Sequence, residues 1–266
     1  MPLHLDPSFR EHLAASDRAL IGMWACSGSP LVTEVAAGSG LDWLLIDMEH
    51  SANTLESVLL QLQVVAAYPI TPVVRAPSND TVAIKQILDL GAQNLIVPMV
   101  SSADEARAAV AATRYPPEGV RGVGSALARS ARWNRVDGYL QDSAHHTSLT
   151  VQIETAAGVA AAAEIAAVDG IDAVFVGPSD LSASMGLLGR QTHPEVVAAV
   201  ETVFAAVRAA GKPVGVNAFD PVAAEAYLAG GAEFVAVGAD VALLARASEA
   251  LAARFISAEG SERASY

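Results

Sequence analysis

The chain has 266 residues and a formal net charge of −13, from 16 basic and 29 acidic side chains. An acidic chain of this kind argues against binding to nucleic acids or anionic membranes, which proteins contact through lysine and arginine. One cysteine, Cys26, excludes an intrachain disulfide framework. Hydrophobic residues make up 52% of the chain, enough for a globular core, yet no apolar run approaches the roughly 18 residues of a membrane span. The first residues have no signal-peptide pattern, so we expect a cytoplasmic protein.

Eight short aliphatic runs recur along the chain, each apolar on both faces, as are parallel strands buried between helices. They lie at residues 20–24, 43–47, 72–75, 94–98, 149–154, 173–177, 213–217 and 234–238. The spacing of Ala and Leu predicts intervening helices at 55–67, 82–90, 103–113, 158–167, 194–210 and 222–229. Eight strand–helix units in about 250 residues predict the α/β class and a (β/α)₈ TIM barrel. A doubly wound sheet is the alternative, but residues 22–28 lack its glycine-rich phosphate turn.

We expect a single barrel domain over residues 1–266, interrupted by one long arginine-rich insertion at about 114–146. This insertion holds Arg114, Arg121, Arg129, Arg132 and Arg135. It is interpreted as a solvated or interface loop, with an anion-facing loop over the barrel mouth as the alternative.

Polar side chains follow several strands at their carboxyl ends, where a barrel places its active site. Strand two ends in Asp47-Met48-Glu49-His50, and strand three ends in Arg75. Strand five carries Gln152 and Glu154. Strand six precedes Ser179-Asp180, and strand seven ends at Asn217. Glu154 and Asp180 follow consecutive strands, and two neighbouring carboxylates repel unless a cation lies between them. Oxygen ligands favour Mg²⁺, Mn²⁺ or Co²⁺. The alternative is that Asp180 caps a helix and Glu154 pairs with an arginine.

The remaining strand-end groups suit acid–base chemistry on an anion. His50 is the one histidine at a strand end, and an imidazole titrates near neutrality, as a general base should. Arg75 can bind a carboxylate or an enolate oxygen. The two lysines, Lys85 and Lys212, lie in a helix and before a strand, so neither is placed to form a Schiff base in the mouth. No nucleotide-binding motif is present, so no nucleotide cofactor is expected.

The order of seven motifs resembles the HpcH/HpaI family of class II, metal-dependent pyruvate aldolases. These motifs are WLLIDMEH at 43–50, PVVR at 72–75, VPMV at 97–100, RYPP at 114–117, RGVG at 121–124, QIET at 152–155 and GPSDL at 177–181. The resemblance runs from about residue 20 to about residue 255. It implies a (β/α)₈ barrel that cleaves 4-hydroxy-2-oxo acids to pyruvate and an aldehyde, and catalyses the reverse addition.

The resemblance also implies roles for individual residues. Glu154 and Asp180 match the family's metal ligands, His50 matches the base, and Arg75 matches the group that stabilises the enolate. Gln152 matches a substrate-binding residue, and Ser179 and Asp180 match the turn whose N–H groups bind the pyruvate carboxylate. Asp89 matches the aspartate that raises the basicity of the histidine. Asp47, three residues before His50, is a second candidate for orienting the imidazole. Met48 and Ser179 stand where many relatives have Gly and Ala, so substrate preference stays open.

The family further implies a hexamer, built as a trimer of dimers, that exchanges its last helix between subunits. Asp89 ends the helix after strand three, far from the mouth, so it would have to act across a subunit interface. Three alternatives remain open from the residues: an isomerase acting on phosphoenolpyruvate-type compounds, an acyl-CoA lyase of the citrate-lyase β type, and a non-catalytic binding barrel.

Overall fold

The computed structural model describes residues 3–256, and it contains a closed barrel of eight parallel strands. The strands are β1 (Leu20–Ala25), β2 (Trp43–Asp47), β3 (Thr71–Arg75), β4 (Asn94–Val97), β5 (Ser148–Ile153), β6 (Ala173–Val176), β7 (Val214–Asn217) and β8 (Phe234–Ala239). They pair in chain order, and β1 closes the barrel against β8. The predicted TIM barrel is confirmed, and each strand lies within about a residue of its predicted run.

Helices surround the barrel. They are α1 (Phe9–Ala15), α2 (Pro30–Ala37), α3 (Leu55–Val65), α4 (Thr81–Asp89), α5 (Ala103–Thr113), α6 (Tyr139–Asp142), α7 (Ala156–Ala160), α8 (Ala162–Ala166), α9 (Pro178–Ser184), α10 (Pro194–Ala209), α11 (Pro221–Ala229) and α12 (Asp240–Phe255). The prediction of one helix over 158–167 is wrong, because the backbone breaks at Ala161 into α7 and α8. The sequence patterns also did not indicate α1, α2, α6 or α12. Helix α9 was expected only in the alternative that Asp180 caps a helix, and this is wrong, because Asp180 lies inside the first turn and the cap position is Gly177.

Aromatic rings fill the interior of the barrel. Trp43, Phe175 and Phe234 pack on one another with ring centroids 5.7–6.2 Å apart. Gly22 makes room for the indole, since a Cβ there would lie 2.4 Å from the Trp43 ring. Phe9 of α1 enters from the amino-terminal end of the strands, called the floor below, and packs edge-on against Phe234 at 5.3 Å. The floor is therefore filled with apolar side chains, and the opposite end, the mouth, is left for chemistry.

The arginine-rich segment joins the end of α5 to the start of β5, and both of these points lie at the floor. The alternative that it covers the mouth of its own barrel is therefore wrong. Arg121 is fully buried rather than solvated. Its Nη2 lies 3.1 Å from Oδ1 of Asp89, and its guanidinium lies over the Tyr115 ring, 4.7 Å from the centroid. This part of the segment is packed structure, not a solvated loop.

Helix α12 presents apolar side chains to solvent. Asp240 at its start is its one buried residue among those described, whereas Leu243, Leu244, Leu251 and Phe255 are 59–74% exposed. Among residues 3–256, no helix has the length and apolar character needed to cross a bilayer. The exchange of α12 between subunits stays a prediction.

Candidate active site

The side chains at the mouth are those that face the barrel interior at the strand ends. Side chains alternate between the two faces of a strand, so Asp47 shares the inward face of β2 with Trp43, which is buried in the barrel. By the same alternation Gln152 and Glu154 lie on one face at the end of β5. Parallel strands bring these ends together at one mouth.

Arg75 and Asp47 form a buried ion pair at the centre of the mouth. Arg75 donates from Nε and Nη2 to the two carboxylate oxygens of Asp47, at 2.8 and 2.9 Å. The two residues are only 4% and 1% exposed, and the Trp24 ring covers the guanidinium at 4.2 Å. Burial alone would lower the pKa of Arg75, but the hydrogen bonds and charge of Asp47 outweigh it and hold this pKa above its usual value. Arg75 is therefore a fixed positive charge with a defined orientation.

Glu154 is buried beside this pair. Its Oε1 accepts a hydrogen bond from the Met99 N–H at 2.7 Å, and its Oε2 accepts one from Nε2 of Gln152. The amide oxygen of Gln152 in turn accepts from Nη1 of Arg75 at 3.5 Å. Gly177 is required opposite them, because a Cβ there would lie 2.7 Å from both the Gln152 amide and the Glu154 carboxylate. Burial, together with the charges of Glu49 and Asp180, outweighs the Met99 hydrogen bond and the charge of Arg75, and raises the pKa of Glu154 to about 8.

Ser179 and Asp180 lie exposed in the first turn of α9, directly after β6. Pro178 begins this helix, as proline often does, because its fixed φ suits the first turn. The N–H groups of a first helical turn have no acceptor within the helix. Asp180 is close enough to Glu154 for its charge to act on that carboxylate. Strands β5 and β6 are paired neighbours, so Glu154 and Asp180 follow adjacent strand ends, as expected.

His50 lies in the loop after β2, with its side chain 65% exposed. Its backbone N–H donates to Oδ2 of Asp47 at 3.2 Å, and its Nε2 is 4.0 Å from Oε1 of Glu49. Asp47 thus contacts the main chain of His50 and not the imidazole. Asn53 steadies the loop, since its amide donates to the Asp47 carbonyl at 2.7 Å and to the Ala25 carbonyl at 2.9 Å.

Asp89 lies outside this constellation within one chain. It is the last residue of α4, which runs from the mouth to the floor, and it pairs with Arg121. The structure therefore brings Asp47, His50, Arg75, Gln152, Glu154, Ser179 and Asp180 to the mouth and leaves Asp89 at the other end.

Two residues at the mouth were given no role from the sequence. Glu49 places Oε2 2.8 Å from Nη1 of Arg75, without hydrogen-bond alignment, and burial raises its pKa. Trp24 covers Arg75 and donates from its indole N–H to Oδ1 of Asn217 at 2.7 Å. The sequence feature that could have indicated a role for Glu49 is its place in the strand-end run 47–50. For Trp24, that feature is its inward position at the end of β1.

The donor groups at the mouth suit a hard divalent cation. The charges of Glu49 and Asp180 raise the pKa of Glu154, and that of Asp180 also raises the pKa of Glu49. The one guanidinium among them, Arg75, is shared between Asp47 and Glu49. Carboxylate oxygens are preferred ligands of Mg²⁺ and Mn²⁺. Over residues 3–256, no group of three or more His, Cys, Asp or Glu side chains is arranged to enclose a metal. A cation here would have two carboxylate ligands and open positions for substrate.

A (β/α)₈ barrel with an oriented guanidinium, an imidazole and more carboxylates than cations at its mouth defines an enzyme that acts on small anionic substrates. The chain matches the HpcH/HpaI aldolase/citrate lyase family model over residues 20–247 and belongs to that family. It is a lyase of the aldolase type, and the predicted family and reaction class are confirmed.

Named relatives agree with this assignment. A 4-hydroxy-2-oxo-heptane-1,7-dioate aldolase of Salmonella dublin is 54% identical over 248 residues, covering 93% of this chain and 94% of the relative. The crystal structure of an HpcH/HpaI aldolase/citrate lyase family protein from Burkholderia cenocepacia J2315 is 40% identical with a TM-score of 0.89, over 93% of this chain and 98% of that one. An HpcH/HpaI aldolase from Desulfitobacterium hafniense DCB-2 is 28% identical with a TM-score of 0.86, over 97% and 100%.

Proposed function

We propose that this enzyme cleaves 4-hydroxy-2-oxo acids reversibly to pyruvate and an aldehyde, with a divalent cation held by Glu154 and Asp180. The observation that supports this most is the state of Glu154, a buried carboxyl group whose pKa is raised to about 8 beside two further carboxylates. Such a group is costly to ionise unless a cation joins it. The aldolase relatives at 54% identity support the choice of substrate class.

The cation would be Mg²⁺, Mn²⁺ or Co²⁺. When bound, it supplies Lewis-acid polarisation of the 2-keto group and charge stabilisation of the enolate.

The chain's own residues bind the substrate and move the proton. The N–H groups of Ser179 and Asp180 bind the carboxylate of the oxo acid, and Gln152 orients its 2-keto oxygen. His50 removes the proton of the C4 hydroxyl group, and the electron pair of the C3–C4 bond passes to the pyruvyl fragment as the aldehyde leaves. Arg75, fixed by Asp47, stabilises the negative charge on the enolate oxygen. Protonation at C3 gives pyruvate.

Assembly is part of the proposal. We infer a homohexamer in which α12 is exchanged between subunits and Asp89 approaches His50 of a neighbouring subunit. The exposed leucines of α12 support the first point. The position of Asp89 at the floor supports the second, because it leaves no route to His50 within one chain.

The direct test incubates the enzyme with Mn²⁺ and a panel of 4-hydroxy-2-oxo acids, with and without EDTA, and follows pyruvate by coupled reduction to lactate. We expect pyruvate release that chelation abolishes and Mn²⁺ restores. His50→Ala should lower kcat by about 100-fold or more, because a general base contributes that much. His4→Ala, at an exposed histidine near the amino terminus, is the matched control. Full activity after exhaustive chelation would contradict the role of the metal.

A further inference from the structure

A second cavity, of about 290 Å³, opens at the floor of the barrel. It lies among the end of α3, the starts of β3 and β4, the residues before α1 and the arginine-rich segment. The candidate active site is at the opposite end of the strands, so the two sites are separated by the packed aromatic core. A volume near 300 Å³ is at the lower end of the range of small-molecule sites.

Two guanidinium groups, those of Arg129 and Arg132, line this cavity. Arg129 is half-buried, and donates from Nη1 to the Leu90 carbonyl at 3.1 Å and from Nη2 to the Leu62 carbonyl at 3.5 Å. Arg132 donates from Nη1 to the Arg129 carbonyl at 2.7 Å. Among residues 3–256, neither guanidinium makes an ion pair with a carboxylate.

The two positive charges approach each other over Gly91. A Cβ on Gly91 would lie 2.7 Å from Nη1 of Arg129 and 3.0 Å from Nη1 of Arg132. Gly91 also has φ +93°, so no other residue fits this place easily. Burial and the charge of Arg132 lower the pKa of Arg129 to about 10. Like charges held together in this way are unfavourable unless an anion joins them.

The backbone that presents Arg132 is strained. Arg132, Trp133 and Asn134 have φ of 49°, 57° and 60°, three successive non-glycine residues in the left-handed region. Such conformations cost free energy and persist where the surrounding structure holds them, which occurs often at ligand sites.

A structural role accounts for only one of the two arginines. Arg129 binds carbonyls at the carboxyl ends of α3 and α4, where a cation complements the helix dipoles. Arg132 caps no such helix end, and its other guanidinium nitrogens have no acceptor among the described residues. Asp6 is the single carboxylate among the described lining residues, and its charge acts on Arg132. With two arginines and one carboxylate, the charged side chains of the cavity still sum to about one positive charge.

We propose that this cavity is a second binding site, which takes a small metabolite through an oxyanion group placed between the Arg129 and Arg132 guanidiniums. Guanidinium groups bind phosphate and carboxylate oxygens in pairs. Thr71 and Gln93 also line the cavity and add uncharged polar groups that can face the rest of the ligand. The oxyanion can come from a phosphate ester or from a dicarboxylate, and the two are separated by experiment.

The test titrates the full-length protein with inorganic phosphate and, separately, with succinate, by calorimetry at constant ionic strength set with NaCl. We expect saturable binding, and the probe that binds more tightly identifies the source of the oxyanion. Arg132→Gln should weaken that binding about tenfold or more, the effect of losing a charged hydrogen bond. Arg135→Gln, at an exposed arginine of the same segment outside the cavity, should leave it unchanged.

Two results overturn the proposal: no saturable binding of either probe, or equal binding by wild type and Arg132→Gln. Anion binding at the mouth is separated by repeating the titration with Arg75→Gln, which removes the guanidinium of the mouth and none of those lining the cavity; binding that persists in this variant and is lost in Arg132→Gln belongs to the floor. Should Arg132→Gln not fold, wild-type crystals soaked in selenate decide the question. Anomalous density between the two guanidiniums supports the site, and density at the mouth alone overturns it.

Discussion

Glu154 shows how a single residue can report the chemistry of a site. Its two oxygens accept hydrogen bonds from the Met99 N–H and the Gln152 amide, yet its pKa is still raised to about 8. Burial and two neighbouring carboxylates outweigh those hydrogen bonds. A carboxyl group in this state is protonated at neutral pH until a cation displaces the proton.

Binding of Mn²⁺ should therefore release a proton from Glu154. In the metal-free enzyme Glu154 is protonated below about pH 8, so affinity for Mn²⁺ should rise with pH up to that point, by at most about tenfold per unit. Above pH 8 this dependence should disappear. Calorimetry in two buffers of different ionisation enthalpy measures the released proton. Glu154→Gln should abolish the proton release, and the control Glu225→Gln, on the exposed part of α11, should keep it. An affinity for Mn²⁺ that is constant between pH 6 and 8 would contradict the role of Glu154 as a metal ligand.

Arg75→Lys tests the geometry of the buried pair while keeping its charge. A lysine cannot donate to both oxygens of Asp47 as Nε and Nη2 of Arg75 do, so one buried oxygen loses a partner. We expect the free energy of unfolding in urea to fall by about 1–3 kcal/mol and kcat to fall by about 100-fold. Arg107→Lys is the control, because its pair with Asp104 is exposed and should contribute less than about 1 kcal/mol. Equal kcat in Arg75→Lys and wild type would remove Arg75 from catalysis.

At the scale of elements, the positions of the strands could be predicted from the sequence, whereas those of several helices could not. Buried parallel strands are uniformly apolar, and this signal is local. Helix α1 is instead fixed by a capping box between Ser8 and Glu11 and by the contact of Phe9 with the barrel interior. The break at Ala161 likewise has no marker, since alanine favours a helix on either side of it.

The placement of residues at the mouth follows from the sequence where they lie at strand ends, but not where tertiary packing decides it. The alternation of β5 placed Gln152 and Glu154 on one face, and the structure keeps them there. The role of Glu49 in contacting Arg75, and that of Trp24 in covering it, depend on neighbours that are distant in sequence. The burial of Arg121 within a polar, glycine-containing segment has the same cause.

The exposed leucines of helix α12 predict that this helix lies in a contact between subunits. Leu244 and Leu251 are separated by seven residues, so they lie on one face, and both are exposed. The double variant Leu244→Glu/Leu251→Glu should dissociate the assembly, with a lower mass by light scattering after gel filtration. Pyruvate release should fall with it, because Asp89 could no longer reach a neighbouring site. Ala253→Glu, exposed on the opposite face of the same helix, is the control. A wild-type monomer with full activity would contradict the proposed assembly.

At the scale of the whole molecule, the barrel depends on glycines that admit large rings. Gly22→Ala would place a Cβ 2.4 Å from the Trp43 ring, and overpacking of this kind costs about 1–3 kcal/mol. The midpoint of urea unfolding should fall accordingly. Gly238→Ala, where a Cβ would meet nothing within 4 Å, should change it little. An unchanged midpoint in Gly22→Ala would mean that the interior repacks freely.

The closure of the barrel also sets an order of events during synthesis on the ribosome. Phe9 is made about 225 residues before its ring partner Phe234. Strand β1 likewise waits for β8, its pairing partner across the whole chain. Until β8 has emerged, β1 has an open sheet edge and Phe9 lacks its contact with Phe234. During this stage of translation the open edge of β1 can pair with another unfinished chain, and completion of β8 removes that opportunity.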